Sequence, residues 1–146
     1  MIDFSLTDAQ RDVQRTARAF SEHEILPRIR ELDAEAQYDR SLYEKMGAAG
    51  FLGLPIPERY GGAGMDYIAF ALLCEEMERA DTAFRVILSV HTGLNSLTLL
   101  QWGSEEQKER YLVPQARGEK LATFGLTEPG VGSDAANLAS TARRDG

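Results

Sequence analysis

Residues 82–102 carry apolar side chains over most of a helical circumference, so a helix formed there is central to its domain. A central helix needs others around it, and the flanking chain supplies the signals for them. Thr7 or Ser5 can cap a helix in which Leu6, Val13, Ala17, Phe20 and Ile25 recur at near-helical spacing, with Arg, Gln and Asp between them. Pro27 predicts a break or bend, and a second helix is expected from Arg28 to about Ala36. Ser41 is the expected cap for Leu42 to Ala49, which Gly50 ends. Pro55, Pro57 and glycines 61, 62 and 64 then predict an irregular connection. The next helix, Asp66 to Arg79, is expected to turn Ile68, Leu72 and Met77 inward, leaving the charges from Glu75 to Arg79 in solvent. Trp102 ends the apolar helix as a core or interface anchor. Ser104 with Gln107 forms a capping box for a last helix ending near Arg117-Gly118. The fold class expected is mainly α.

From Glu119 the pattern changes. Leu121 to Leu126 is apolar apart from one Thr and suits a short buried strand, which Pro129-Gly130 stops. Glycines 130 and 132 permit close approach by another molecule, Thr127 and Ser133 offer hydroxyls, and Asp134 can cap the element after it. Such a loop can meet phosphate oxygens or a ring carbonyl with several N–H groups. It can equally be an ordinary turn whose Ser and Asp satisfy their own backbone, and spacing leaves both open. Ser140 to Arg144 is a second strand candidate, followed by Asp145-Gly146, a hairpin-turn dipeptide without a partner strand. The expected organisation is a helical domain at 1–118 and, at 119–146, a truncated β-domain reduced to its opening hairpin.

Composition narrows the function. At 146 residues and 43% hydrophobic content the chain can bury one core. A net charge of -7 leaves no basic face for nucleic acid. The single cysteine, Cys74, excludes an internal disulfide framework or zinc cluster and fits a reducing, cytoplasmic setting. His91 has one distant companion, His23, so no metal site is assigned. Asp3 and Asp8 stand where a secretory leader would be basic and then apolar. No apolar run is expected to reach the ~20 residues of a membrane span.

The wording around the loop is more specific than its spacing. Leu126-Thr127-Glu128-Pro129 followed by Gly132-Ser133-Asp134 resembles the signature of the acyl-CoA dehydrogenase family of flavoenzymes. Other stretches similar to the family's N-terminal landmarks occur in order: Phe4-Ser5-Leu6-Thr7, Gly47 to Gly53, Pro57 to Gly64, Glu75 to Arg79, and Gly103 to Lys108 leading to Tyr111-Leu112. The resemblance implies an N-terminal helical domain plus the start of a middle β-domain, in a fold that closes with a C-terminal four-helix bundle. It implies FAD and an acyl-CoA thioester. In the family a glutamate takes the α-proton while the β-hydrogen leaves as hydride to the flavin, giving a trans-2-enoyl-CoA. That glutamate lies in the C-terminal domain, so no catalytic residue is assigned here and residues 1–146 alone are expected to be silent.

By the same resemblance, Phe124, Gly125, Leu126, Thr127, Glu128, Pro129, Gly130, Val131, Gly132 and Ser133 match the flavin-contacting segment. The Thr127 hydroxyl and neighbouring N–H groups are implied at the pyrimidine side of the flavin ring, where donors favour the charge of the reduced state. Ser133 matches a residue that reaches both the FAD pyrophosphate and CoA. Glu128 and Asp134 are expected to hold the loop's shape. The implied partners are an electron-transfer flavoprotein and further copies of the chain, in a dimer or tetramer. A eukaryotic member would work in the mitochondrial matrix after losing a presequence.

Arg85 departs from most of the family, which carries small or apolar residues there. Glutaryl-CoA dehydrogenase is similar at this point, with an arginine that pairs with the substrate's distal carboxylate. Arg85 is therefore a candidate for recognising a dicarboxylyl-CoA, with Ser89 and His91 beside the same acyl pocket. A structural ion pair with Glu78 or Asp81, or a subunit contact, is the other reading of Arg85. Two further functions remain open: a helical binding or assembly module without chemistry, and an acyl-CoA oxidase-like or nitroalkane oxidase-like flavoenzyme that passes electrons to oxygen.

Overall fold

The computed structural model describes residues 4–145. Asp3 and Gly146, the second residue of the terminal turn dipeptide, lie outside the described residues. Helices α1 (Asp8–Phe20), α2 (Leu26–Ala34), α3 (Arg40–Ala48) and α4 (Tyr67–Ala80) precede the shorter helices α5 (Thr82–Ile87), α6 (Leu97–Trp102), α7 (Glu105–Gln107) and α8 (Val113–Ala116). Wide π-helical stretches at Ser21–Ile25, Leu88–Ser96 and Lys108–Leu112 join α1 to α2, α5 to α6 and α7 to α8. Most of the described chain is helical, as the sequence predicts.

Helix starts follow side-chain chemistry. Thr7 is the first cap: its hydroxyl accepts the Gln10 N–H at 3.2 Å, and the Gln10 side-chain oxygen Oε1 accepts the Thr7 N–H at 2.9 Å. The Gln10 amide then donates to Asp66 at 2.7 Å, while Asp66 caps α4 by accepting the Ala69 N–H at 2.8 Å. The beginnings of α1 and α4 are thus tied together. Ser104 and Gln107 form the expected reciprocal box. The cap of α3 is Asp39 rather than Ser41, because the Asp39 carboxylate accepts the Ser41 N–H at 2.8 Å. Pro27 does not end the helix; the π-turn before it passes the Leu26 N–H to the Ser21 carbonyl and absorbs the ring at the start of α2.

The buried face of α4 is Ala69, Leu73, Glu76 and Met77; of the expected stripe Met77 is buried, Leu72 is half-buried and Ile68 is exposed. Glu76 corrects the view of 75–79 as a solvated cluster. It is 1% exposed, accepts from Arg18 at 2.6 and 3.0 Å and from Arg79 at 3.0 Å, and its pKa is held low first by the Arg18 hydrogen bond. The main core joins α1, α3 and α4 through Ala17, Leu42, Met46, Phe51, Leu73 and Met77. A smaller core gathers Ile56, Tyr60, Leu112 and Ala116.

The apolar helix spans Thr82–Trp102, 21 residues, and an 18-residue window within it has a mean hydropathy of 1.2. It is therefore long and apolar enough to cross a bilayer by length and composition, contrary to expectation. Its buried side nevertheless holds polar residues bonded to the helical body: Thr92 donates to the Leu52 carbonyl at 2.8 Å and Ser96 to the Gln115 side chain at 2.9 Å. Asn95 also donates to the Val90 carbonyl five residues back at 3.0 Å, and the Ser96 oxygen lies 3.1 Å from the His91 carbonyl, within the widened turn. Val86 and Leu94 remain exposed, and Trp102 at 75% exposure is no core anchor.

The two strands expected at 121–126 and 140–144 do not form among the described residues; Glu128 and Val131 make one isolated antiparallel bridge. Extended segments become strands only when a neighbour meets their N–H and C=O groups, and a lone hairpin is marginal in water.

Candidate functional site

Gly118 opens the site by ending α8 in a left-handed conformation, φ 74°. A Cβ there would lie 2.6 Å from the Gly47 Cα, so a side chain would push apart α3 and the departing segment. The chain then runs along the apolar helix, and Leu121, Ala122 and Thr123 face Val86, Ile87 and Val90 across a groove of about 290 Å³ that Tyr38 closes. No carboxylate is among the residues lining this groove.

His91, the residue after groove-lining Val90, is 1% exposed. Its Nε2 lies 3.1 Å from the Gln115 carbonyl oxygen, and its Nδ1 accepts the Ala122 N–H at 3.0 Å. One tautomer serves both: Nε2 carries the proton and Nδ1 keeps its lone pair. Burial is the main influence lowering the pKa of this imidazole.

Arg85 and Ser89 stand one turn apart beside the groove-lining valines. The Arg85 Nε donates to Glu78 at 2.6 Å and Nη1 to the Ser89 hydroxyl at 3.3 Å. Asp81, the other proposed partner, instead caps α5 by accepting the Ala83 N–H at 2.8 Å. Arg85 is the leading cause of the lowered Glu78 pKa. The ion-pair reading of Arg85 therefore has its partner, and the guanidinium stays partly exposed, with Nη2 unbonded among the described residues.

Beyond the groove, residues 124–133 form an exposed loop in which only Glu128 and Val131 are half-buried. Glu128 braces it: its carboxylate accepts the N–H groups of Ala139 and Ser140 at 2.8 and 2.9 Å, and Ser140 is the first cause of its lowered pKa. The Asp134 carbonyl accepts the Asn137 N–H at 3.0 Å and its carboxylate takes the Asn137 side-chain amide. The hydroxyls of Thr127 and Ser133 make no bond among the described residues. A Cβ on Gly125, Gly130 or Gly132 would meet nothing within 4 Å. The loop thus offers free donors on an unobstructed surface, which fits a flat ring and a diphosphate. Among the described residues no bond joins it to Arg85 or Ser89, and no cluster of His, Cys, Asp and Glu suits a metal ion.

Residues 7–119 match the family model described as acyl-CoA dehydrogenase, N-terminal domain. The chain belongs to the acyl-CoA dehydrogenase family. It is 42% identical over 140 residues to a 3-(aryl)acrylate reductase of Clostridium sporogenes, covering 96% of this chain and 37% of that protein. It is 41% identical over 133 residues to the short-chain specific acyl-CoA dehydrogenase of Clostridium acetobutylicum, covering 91% and 35%. A glutaryl-CoA dehydrogenase from Mycobacterium smegmatis, solved with FADH2, superposes with a TM-score of 0.90 at 35% identity over 97% of this chain and 36% of that one. The chain spans about a third of the length of the curated acyl-CoA dehydrogenase family relatives it matches.

The sequence leads to the expectation that His91 borders an acyl pocket but does not disclose its bonds to Gln115 and Ala122. The available signal is the polar set His91, Thr92 and Ser96 inside an otherwise apolar helix. Tyr38, which closes the groove from 48 positions before Val86, carries no local signal.

Proposed function

We propose that this chain supplies the flavin loop and one wall of the acyl-binding groove of an FAD-dependent enzyme that dehydrogenates acyl-CoA thioesters between the α and β carbons. The observation that carries this reading is the continuity of an apolar groove with an exposed loop rich in free donors. The groove accepts a short acyl chain by excluding water from Val86, Ile87, Val90 and Leu121. Thr127 and the N–H groups of the loop would hold the flavin's pyrimidine edge, and Ser133 would reach its diphosphate and the CoA. FAD supplies the hydride acceptor. The base that takes the α-proton comes from outside residues 1–146, and an electron-transfer flavoprotein reoxidises the cofactor within a homo-oligomer. Division into a helical domain at 1–118 and a cofactor-binding segment from 119 onward belongs to the same proposal. The relative from Clostridium sporogenes is named for reducing an acrylate, so the same pair of carbons can be worked in the opposite direction.

Arg85 favours a dicarboxylyl-CoA such as glutaryl-CoA over an acyl-CoA without a distal carboxylate. Its position beside Val86, with Nη2 available, lets the guanidinium answer a carboxylate at the far end of a short acyl chain. Steady-state turnover of butyryl-CoA and glutaryl-CoA by the intact protein tests both levels. Wild type should turn over both, and Arg85→Ala should lower kcat/KM for glutaryl-CoA about tenfold relative to butyryl-CoA. Equal effects on the two substrates would leave Arg85 as the structural partner of Glu78. Turnover of neither, with FAD bound, would reject the dehydrogenase reading.

A further inference from the structure

We propose that His91 is a positioning residue for the candidate site, tethering the Ala122 N–H through Nδ1 and so setting where residues 121–133 leave the helical body. The functional part rests on the proposed dehydrogenase reading; the tether itself rests on geometry alone. Ala122 lies in the middle of the three residues facing Val86, Ile87 and Val90, and its N–H is held at 3.0 Å by His91, the residue after Val90 on the opposite helix. One hydrogen bond therefore joins the helix that carries Val86, Ile87 and Val90 to the segment facing it. The acceptor is itself fixed: the Nε2 contact with the Gln115 carbonyl at 3.1 Å selects the tautomer whose Nδ1 is unprotonated. The Gln115 side chain is engaged elsewhere, accepting from Ser96. The same helical turn thus anchors both the end of α8 and the first extended residues after it. Five residues later comes Thr127, so displacement at Ala122 is carried into the loop.

The tether exists only with a neutral imidazole, because a proton on Nδ1 would face the Ala122 N–H. The elements packed on this turn offer no carboxylate to compensate the charged form: α6, α8 and Phe51–Gly53 carry no charged residue, and α5 carries Arg85 alone. Arg117, Glu119 and Lys120 on the departing segment are exposed. Burial holds the pKa below the ordinary 6.5, so the stability contributed by neutral His91 is fully present above about pH 6.5 and is lost as pH falls through the lower folded-state value.

Two amide replacements divide the functions of the ring. The Asn carbonyl oxygen sits near the place of Nδ1 and can still accept from Ala122, whereas the Gln amide reaches the place of Nε2 and keeps the bond to Gln115. Hydrogen exchange at the Ala122 amide is the readout, compared with the Met77 amide in the core as a measure of global stability. His91→Asn should retain protection at Ala122 within about twofold, and His91→Gln should lose about tenfold with Met77 little changed. An acid-dependent loss at Ala122 should appear in the wild type and be absent from His91→Asn. Equal loss in the two variants, or no acid-dependent loss peculiar to the wild type, would overturn the tether. In the intact protein FAD retention should follow the same order, wild type and Asn above Gln. An equal FAD affinity in all three would remove the link to the site, and failure of the wild type to bind FAD would reject the functional reading while the exchange data still decide the tether.

Discussion

Gly62→Ala is expected to cost about 3 kcal/mol of stability, seen as a lower denaturant midpoint at unchanged slope. A Cβ at residue 62 would lie 2.1 Å from the Ile56 carbonyl oxygen and 2.5 Å from that of Gly53. Both atoms are already held, the first by the Gly64 N–H at 2.8 Å and the second by the N–H groups of Ile56 and Ala63 at 3.0 and 3.1 Å. Neither carbonyl can retreat without opening the turn that joins α3 to α4. Gly62 lacks a left-handed φ, so the penalty is one of space rather than torsion. Gly93→Ala is the contrast. Nothing lies within 4 Å of its Cβ position, and it sits inside a helix, so the same change should add about 0.5–1 kcal/mol. Equal effects at the two positions would contradict this explanation of the turn.

The second large effect is expected at Glu76. Replacing it with alanine removes three hydrogen bonds from a carboxylate buried between α1 and α4 and leaves a gap there, at a cost of about 2–3 kcal/mol at neutral pH. Arg18 and Arg79, each about half exposed, return to water without a comparable penalty. The difference from wild type depends on pH in a fixed direction. The Arg18 hydrogen bond lowers the Glu76 pKa below 4.5, so the wild-type contribution is fully present above about pH 4.5 and is lost as pH falls through the folded-state value. Unfolding curves of the two proteins should therefore converge in acid. A constant difference from neutral pH to about pH 3 would show that packing alone is lost.

The helical order is legible because each helix carries its own local signals. Thr7 with Gln10, Ser104 with Gln107, Gly50 and Gly118 act within a few residues of where they stand, and each performs as its chemistry requires. Glu76 is hidden for the opposite reason. Glu75 to Arg79 has the pattern of a solvated helix, and the residue that pairs with Glu76 in the interior is Arg18, 58 positions away. His91 is half legible, since a polar residue in an apolar helix must find partners, but Gln115 and Ala122 belong to a later part of the chain. The strands expected at 121–126 and 140–144 fail on another ground. Apolar content and turn residues give a segment the capacity to pair, whereas pairing needs a neighbour, and among the described residues 121–123 meet side chains of a helix instead. At the candidate site the loop wording points to the flavin segment, while the groove beside it arises from Tyr38, Val86 and Leu121 brought together only by folding.

The visible absorption spectrum of the intact protein, purified in its folded state, tests the proposed flavin site most directly. The expected result is a bound flavin at about one FAD per chain, retained through gel filtration and released on unfolding. A folded, colourless protein that takes up no FAD on reconstitution would contradict it.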